Sequence, residues 1–296
     1  MAFHGERIRF DETKLLGRGS FGTVYQGFLN GAPVAVKKVI PMGFLDSCPR
    51  WGRLRHENVI QLLDFEDNGG FRYKDRKLKH ILLFVLVYYA TSIYCTYVLL
   101  NMYRYYAMPL CQATLDHIFE GNHECPMPSI IQTMLQIAKA VEYIHSLSMI
   151  HRGIKPANFL VHVNEGQSAT IKLCDFDLLL QVDGNGFGTD CGIKGTLAWM
   201  APELLDLASS IGHWNESEPI TIPVNGIKCD VFSTGLVFAF LLLYGRHPYG
   251  GPFYRKTYLE NNNPFKLQGK LCTTQMMIHY TDYLNFKEIK SKSVLT

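Results

Sequence analysis

A glycine-rich segment near the start of the chain, followed by a lysine, has the residue types needed to hold phosphate groups. Residues 17–24, GRGSFGTV, fit the pattern G-x-G-x-x-G-x-V, in which positions without a side chain let backbone N–H groups approach phosphates closely. Residues 34–37, VAVK, follow at the spacing of the next strand and place Lys37 where its ammonium can reach the phosphates of a nucleotide. A glycine-rich hairpin without a ligand is the alternative for the first motif alone, but the lysine behind it favours nucleotide binding.

Three further segments follow in a recognisable order. Residues 151–158 read HRGIKPAN, residues 175–177 read DFD and residues 201–203 read APE. Together with the two N-terminal motifs, these segments resemble the signature set of the protein kinase superfamily, over residues 10 to 250 or so. Lys155, and Thr196 ahead of the last motif, resemble the serine/threonine-specific branch.

The resemblance implies an α+β protein with the two-lobed kinase fold, in which a β-rich N-lobe and an α-helical C-lobe hold ATP and Mg²⁺ in the cleft between them. It also implies that Met108 is the gatekeeper and that the backbone of residues 109–111 forms the hinge that holds adenine. A plain core methionine is the alternative for Met108. The cofactor-binding residues implied are Gly17, Gly19, Gly22, Val24, Ala35, Lys37, Met108, Leu110 and Cys111.

The same resemblance assigns roles to residues of the catalytic machinery. Lys37 and Lys155 take catalytic roles, and Asn158 and Asp175 hold magnesium, as the equivalent residues do in kinases. Asp230 matches the acidic residue that begins a buried helix and braces the catalytic loop. We therefore expect the binding machinery for ATP and magnesium to be present.

The pattern breaks at Gly153, which stands where kinases have the catalytic aspartate. No carboxylate at this position can accept the proton of a substrate hydroxyl. A positioned general base typically contributes about 10²–10⁴-fold to the rate. Phosphotransfer is therefore expected to be slow or absent, whereas ATP and magnesium binding do not depend on this residue.

Two further departures concern the mobility and pairing of the site. Asp177 replaces the glycine that follows D-F in most kinases, which restricts the backbone and predicts a locked conformation. An extra magnesium ligand and an exposed loop carboxylate are the alternatives for its side chain. Asp46 is the only acid between Lys37 and Arg55, so the kinase Lys–Glu ion pair is expected to be missing. Prolines and glycines in the same stretch predict an incomplete or displaced helix.

Several segments resemble one branch of the superfamily. Residues 107–115, AMPLCQATL, residues 230–235, DVFSTG, and residues 247–250, HPYG, resemble the unfolded-protein-response sensor kinase-endoribonucleases. The DFD triplet is similar to the one in the kinase-like domain of the oligoadenylate-dependent ribonuclease. The ribonuclease domain of these families is not expected within this chain, so RNA cleavage is not implied.

The elements that must position these residues follow from hydrophobic periodicity. Residues 129–145 carry one apolar stripe at helical spacing, and residues 231–244 are an almost wholly apolar helix of the kind that is buried. The glycine-rich motif lies between two strands. Further strands are predicted at residues 33–39, 58–65, 158–163 and 169–174, with a turn at residues 67–70.

These elements predict the domain organisation. The N-lobe is expected over residues 10–110, with an insertion at 74–105, and the C-lobe over residues 111–252. An irregular tail is predicted over residues 253–296. The tail is too short and too irregular for the last helices of a kinase, so the C-lobe is expected to be truncated.

The insertion contains an unusual run, because residues 81–103 are 23 consecutive residues without a charge. That length fits a membrane span. The run nevertheless lies between two strands of one sheet, which must sit on the same side of any membrane. A membrane span, a monotopic or buried hairpin, and a dispensable insertion such as a retained intron are the three interpretations.

Composition and charge limit the classes of binding partner and the cellular compartments that we expect for this chain. The formal net charge of +3 is too weak to indicate nucleic acid as a partner. Eight cysteines without a C-x-x-C pair favour a reducing environment, and residues 1–11 do not resemble a signal peptide. The expected location is the cytoplasm, or the cytosolic face of a membrane, by resemblance the endoplasmic reticulum.

The expected function is therefore an ATP-binding Ser/Thr-type protein kinase domain whose phosphotransfer is impaired at Gly153. One alternative is an inactive dimerisation or scaffold module, in which ATP biases the shape of the lobes without being consumed. Its partner would be a second copy or another kinase domain. A third hypothesis, a membrane-anchored sensor fragment, rests on the run at 81–103 and on the branch resemblance. The protein substrate is not indicated.

Overall fold

Two units of different make-up contain the described residues. One unit is drawn from residues 1–55 and 60–111, and the other from residues 56–59 and 112–296. The first holds a large β-sheet and the second holds the long helices, as predicted for an α+β chain of two lobes. The computed structural model describes residues 2–4, 6–19, 22–39, 48–68, 103–121, 124–190, 193–210 and 220–250.

An antiparallel sheet of six strands makes up most of the first unit. The elements are β1 (Ala2–His4), β2 (Ile8–Gly19), β3 (Gly22–Leu29), β4 (Ala32–Val39), helix α1 (Cys48–Trp51), β5 (Asp64–Asn68) and β6 (Tyr103–Pro109). The strands lie in the order β1-β2-β3-β4-β6-β5. Alternate residues of β2, β4 and β6 form one buried cluster, which contains Ile8, Phe10, Val34, Val36, Tyr105 and Ala107.

The helix predicted to be incomplete corresponds to α1, which has four residues. Trp51 anchors its end, because the indole N–H donates to the Ile60 carbonyl oxygen at 3.1 Å. The indole ring also meets the Tyr106 ring edge-on at 5.3 Å. Residues 40–47, which include Asp46, lie outside the described part of the chain.

The strand predicted over residues 58–65 was placed too early, since β5 begins at Asp64. The reason lies in Asn58, which is buried and whose side-chain amide donates to the Ile171 carbonyl oxygen at 3.0 Å. Val59 forms a single bridge with Leu173, so this segment belongs to the second unit. Asp67 and Asn68, predicted in a turn, continue the strand β5.

Strand β6 includes three residues that the sequence placed in the insertion. Tyr105 pairs with Lys38 of β4 and with Glu66 of β5, and the strand begins at Tyr103. The rest of the predicted insertion, and all of the uncharged run except Tyr103, lie outside the described residues. Within the described residues no helix is long and apolar enough to cross a membrane.

Helices and short two- or three-stranded sheets form the second unit. The helices are α2 (Leu115–Phe119), α3 (Ile130–Ser146), α4 (Pro202–Ser210) and α5 (Gly226–Leu242). Single 3-10 turns cover Pro156–Asn158, Phe176–Leu178 and Leu197–Trp199. The strands are β7 (Ala113–Thr114), β8 (Met149–Ile150), β9 (Phe159–Val163), β10 (Ala169–Leu173), β11 (Leu180–Gln181), β12 (Thr189–Asp190) and β13 (Ile220–Thr221), in sheets ordered β10-β9-β7, β11-β8 and β12-β13.

The two long helices that hydrophobic periodicity predicted are present, although each begins and ends at a different residue from the one predicted. Helix α3 begins after Ser129, whose hydroxyl accepts from the Gln132 backbone in a capping box. Helix α5 begins five residues earlier than predicted, because the Asn225 side chain caps it by accepting from the Lys228 N–H. It ends before Tyr244, whose φ of 49° is left-handed and stops the helix.

Candidate functional site

Four of the predicted nucleotide-binding residues share one face of the large sheet. Val24 of β3 pairs with Lys37 of β4, which also pairs with Tyr106 of β6. Ala35, two residues before Lys37, pairs with Met108. Because side chains alternate along a strand and directly paired residues point the same way, all four predicted residues lie on the same face. Backbone pairing alone therefore brings them together.

The three glycines of the first motif differ in how much space a side chain would have. A Cβ on Gly17 would have no neighbour within 4 Å, and one on Gly19 would have only a carbonyl oxygen at 3.8 Å. A Cβ on Gly22 would instead lie 2.8 Å from Val39 Cγ1 and would clash with the Lys38 carbonyl. Packing therefore demands glycine at 22. Open space beside Gly17 and Gly19 is what a bound phosphate needs.

The predicted hinge residues follow β6 directly. Pro109, the last residue of that strand, pairs with Val34. Leu110 and Cys111 are half-buried, and the Cys111 thiol lies 3.8 Å from the Pro109 carbonyl oxygen. Cys111 is also the last residue of the first unit along the chain. Met108 is buried, which fits both of its interpretations.

In the second unit, the carboxylate of Asp230 holds the backbone of the catalytic loop by hydrogen bonds, as predicted for this residue. Asp230 of α5 accepts from the backbone N–H of His151 at 2.7 Å and of Arg152 at 2.9 Å. Its Oδ2 also lies 3.1 Å from His145 Nε2. Burial raises the pKa of Asp230, but the hydrogen bonds from the His145 ring and from the His151 backbone outweigh this and hold the pKa below its ordinary value. The brace is therefore ionised at neutral pH.

The His151 ring fixes the start of the loop from inside. Its Nδ1 accepts from the Gly153 N–H at 3.1 Å, so the proton of the neutral ring sits on Nε2, which donates to the Cys174 carbonyl oxygen at 2.9 Å. Burial lowers the pKa of His151 despite the nearby Asp230 and Asp175. A neutral imidazole thus links the catalytic loop to the strand end before Asp175.

The hydrogen bonds around residue 153 are formed although this residue is a glycine and has no side chain. Asn158 Nδ2 donates to the Gly153 carbonyl oxygen at 2.6 Å, and both residues are buried. A Cβ on Gly153 would lie 3.3 Å from Asn158 Nδ2 and 3.4 Å from the His151 ring. These contacts are tight but ask for shifts of only a few tenths of an ångström. A side chain at residue 153 therefore requires small shifts of Asn158 and of the His151 ring, both of which are held by hydrogen bonds.

The DFD triplet takes an ordered conformation. Asp175 has the left-handed φ of 68°, which is uncommon for a residue with a side chain and which clusters at functional sites. Phe176 is buried, with its ring edge-on to His151 at 5.3 Å. Asp177 lies in the following 3-10 turn, and its φ is not positive. This conformation therefore does not need the glycine that Asp177 replaces.

Lys155 and Thr196 meet in the second unit. Lys155 Nζ lies 3.3 Å from Thr196 Oγ1, which joins the catalytic loop to the residues before the APE motif. The residues are 41 positions apart, so the contact depends on the tertiary fold. Their proximity agrees with the serine/threonine-branch resemblance.

Asn158 and Asp175 offer oxygen donors suited to magnesium. An amide oxygen and a carboxylate are the hard ligands that Mg²⁺ takes in small numbers, with phosphate oxygens and water completing its shell. The Cys174 N–H donates to the Asn158 carbonyl at 2.9 Å, so the residue before Asp175 is tied to Asn158. No cluster of three or more His, Cys, Asp or Glu side chains that suits a metal occurs within the described ranges. Two protein ligands are consistent with a magnesium held largely by a nucleotide.

Sequence reasoning missed the buried ion pairs around Arg152. The Arg152 guanidinium donates to Asp190 at 2.5 Å and to the Leu178 carbonyl oxygen at 2.6 Å. Lys194 also reaches Asp190, at 3.2 Å. Arg152 and Asp190 are 38 positions apart, and no spacing pattern along the chain connects them.

Comparison with known proteins agrees with the geometry. A family model described as the protein kinase domain matches residues 10–291. The serine/threonine-protein kinase/endoribonuclease ireA of Aspergillus fumigatus is 30% identical over 292 residues, covering 87% of this chain and 22% of that protein. The serine/threonine-protein kinase/endoribonuclease IRE2 of Homo sapiens is 31% identical over 268 residues, covering 87% of this chain and 24% of that protein.

A third relative has a similar identity and coverage. The serine/threonine-protein kinase/endoribonuclease ire-1 of Caenorhabditis elegans is 26% identical over 271 residues, covering 87% of this chain and 23% of that protein. The chain thus spans less than a quarter of the length of these relatives. Because the family model matches nearly all of the 296 residues, the chain belongs to the protein kinase domain family, which uses ATP and Mg²⁺, and its relatives are serine/threonine-protein kinase/endoribonucleases.

Proposed function

We propose that this kinase domain binds ATP with Mg²⁺ and transfers phosphate to serine or threonine only slowly, if at all. Lys37 would hold the phosphates, and Asn158 and Asp175 would hold magnesium. When bound, ATP supplies the transferable phosphoryl group. Lys155, near Thr196, would stabilise its charge.

The observation that carries the proposal is a glycine inside an otherwise complete loop. Asp230 braces the backbone before Gly153, and Asn158 donates to the Gly153 carbonyl. These hydrogen bonds support the proposal, because the loop backbone is held on both sides of the position where kinases have the catalytic aspartate. Loss of a positioned base costs about 10²–10⁴-fold in rate, while the ligands for ATP and magnesium are independent of it.

Restoring the carboxylate tests the proposal directly. The unmodified protein, Gly153→Asp and Gly153→Asn are compared for transfer of labelled phosphate from ATP to themselves and to a mixed peptide library. We expect Gly153→Asp to raise transfer by about 10²–10⁴-fold, because its carboxylate accepts the hydroxyl proton. Gly153→Asn has the same size without the base, so it should stay at the level of the unmodified protein. Equal transfer by all three proteins would contradict the proposal.

Nucleotide binding is tested on two adjacent lysines. Lys37 lies on the face with Val24 and Met108, whereas Lys38 points to the other side and pairs with Glu12 at 2.6 Å. A thermal shift with ATP and Mg²⁺ should vanish in Lys37→Met and persist in Lys38→Met. Loss of the shift in both variants, or in neither, would show that the strand face is not the binding surface.

A second candidate function is a nucleotide-gated module in which ATP favours dimerisation without turnover. The same glycine favours it, because a domain that binds ATP without a base can still change shape on binding. Sedimentation of the unmodified protein with and without ATP and Mg²⁺ tests it, with Lys37→Met as the control. ATP-dependent dimers that Lys37→Met fails to form would support the module. A monomer under both conditions would exclude a homodimer.

A further inference from the structure

A buried carboxylate lies in the segment between the DFD and APE motifs. Asp190 is 6% exposed and belongs to β12, where it pairs with Ile220 of β13. Its Oδ2 accepts from Arg152 Nη1, and its Oδ1 faces Lys194 Nζ at 3.2 Å. A buried acid with two cations is costly to separate, because each partner would be left as an unpaired charge.

Arg152 connects this acid to the catalytic loop. Its backbone N–H donates to Asp230, and its φ of 61° is left-handed, so the loop holds the residue in a strained conformation. Arg152 Nε donates to the Leu178 carbonyl oxygen, at the end of the 3-10 turn that contains Asp177. One guanidinium thus ties together the catalytic loop, the turn after the DFD motif and Asp190.

Kinases generally order this segment in another way. The segment between the DFD and APE motifs carries the activation-loop phosphorylation site, and the added phosphate orders the loop by pairing with arginine. A phosphate carries about 1.5–2 negative charges, whereas a carboxylate carries one. Burial compensates for the smaller charge, because charges attract more strongly where water is excluded.

We propose that Asp190 replaces the activation-loop phosphate in this protein and holds the segment against the catalytic loop permanently through Arg152 and Lys194. Asp190 is a positioning residue, since it acts through Arg152. Residues 188–190 and 194–196 are therefore held in place without phosphorylation. The inference does not depend on nucleotide binding or phosphotransfer.

Hydrogen exchange on the unphosphorylated protein tests the inference without nucleotide. Intact mass first establishes that no phosphate is attached. We expect the amides of residues 188–190 and 194–196 to be protected in the unmodified protein, and Asp190→Asn to speed their exchange by about tenfold or more. Asp190→Glu keeps the charge and should retain most of the protection. Glu165→Gln, which removes an exposed acid in the turn between β9 and β10, should change nothing in this segment.

The location of the effect separates anchoring from general destabilisation. In Asp190→Asn the amides of helix α3 should exchange as in the unmodified protein, because only the segment is released. Should Asp190→Asn fail to fold, Lys194→Gln removes the more exposed partner and should loosen the same residues by a smaller factor. Unprotected amides in the unmodified protein, or equal exchange in Asp190→Asn, would overturn the proposal. Loss of protection in Asp190→Glu equal to that in Asp190→Asn would also overturn it.

Discussion

The strand face around Lys37 and the catalytic loop around Asp230 are positioned in different ways. On the strand face, β3 and β4 pair residue by residue from Thr23 with Lys38 to Leu29 with Ala32. In the catalytic loop, the Asp230 carboxylate holds backbone N–H groups that lie 78 and 79 positions away. One region depends on main-chain hydrogen bonds and the other on single side chains.

The difference teaches which residues can vary. Ladder hydrogen bonds form whatever the side chain, so the strand face needs particular residues only where packing or the ligand demands them. The catalytic loop loses several hydrogen bonds together when one carboxylate is removed. Gly153 fits this view, because the loop keeps its shape through Asp230 and Asn158 rather than through residue 153.

The largest effect is expected from removing the Asp230 carboxylate, which braces the catalytic loop. Asp230→Ala leaves the His151 and Arg152 N–H groups buried without their acceptor, and should lower the free energy of unfolding by about 3–5 kcal/mol. Urea denaturation followed by circular dichroism measures the change. An unchanged midpoint would mean that the loop is held by other contacts, and the comparison with the strand face would fail.

A smaller effect is expected from two glycines of the strand face. Gly22→Ala forces a methyl group against Val39 and the Lys38 carbonyl, and should destabilise the protein by about 1–3 kcal/mol. Gly17→Ala meets open space, so its stability should match the unmodified protein while ATP affinity falls. Urea denaturation and ATP titration separate the two. Equal loss of stability in both variants would contradict the assignment of the open space to a ligand.

The stability of the second unit, which depends on single side chains, should vary with pH. His56 Nδ1 accepts from the Asn58 N–H at 3.0 Å, and burial holds the pKa of His56 below its ordinary value of 6.5. The unfolded chain therefore binds this proton more readily, so the stability it contributes is complete above about pH 6.5 and decreases as the pH falls below that value. Urea denaturation between about pH 8 and pH 5 measures the loss. His56→Gln should reduce the slope, while His151, whose pKa burial also lowers, keeps part of the dependence. An unchanged slope would count against His56.

The smallest effect is expected at a partly exposed ion pair of the sheet. Arg104 lies 2.5 Å from Asp67, whose side chain is 45% exposed. Asp67→Asn should change the free energy of unfolding by less than about 1 kcal/mol, because water screens the pair. The same denaturation assay, run beside Asp230→Ala, measures it. A loss as large as that of the brace would show that surface charges hold the sheet.

Much of the site could be predicted from the sequence, because its residues sit within short motifs. Val24, Ala35, Lys37 and Met108 were assigned to the nucleotide site by resemblance to the kinase motifs, and strand pairing places them on one face of the sheet. The strand around Asn58 was placed wrongly, since apolar neighbours suggested β-structure while the Asn58 amide binds the distant Ile171 carbonyl. The cap at Asn225 lengthened a helix whose apolar pattern began later.

By itself, the sequence determined the order of the motifs, the periods of the strands and helices, and the absence of a carboxylate at Gly153. These are local properties of residue type and spacing. Only the tertiary structure decided that Asp190 meets Arg152, that His151 is neutral with its proton on Nε2, and that a Cβ at residue 153 would lie close to Asn158 and His151. Such features depend on burial and on contacts between segments distant in the chain, which spacing along one segment does not encode.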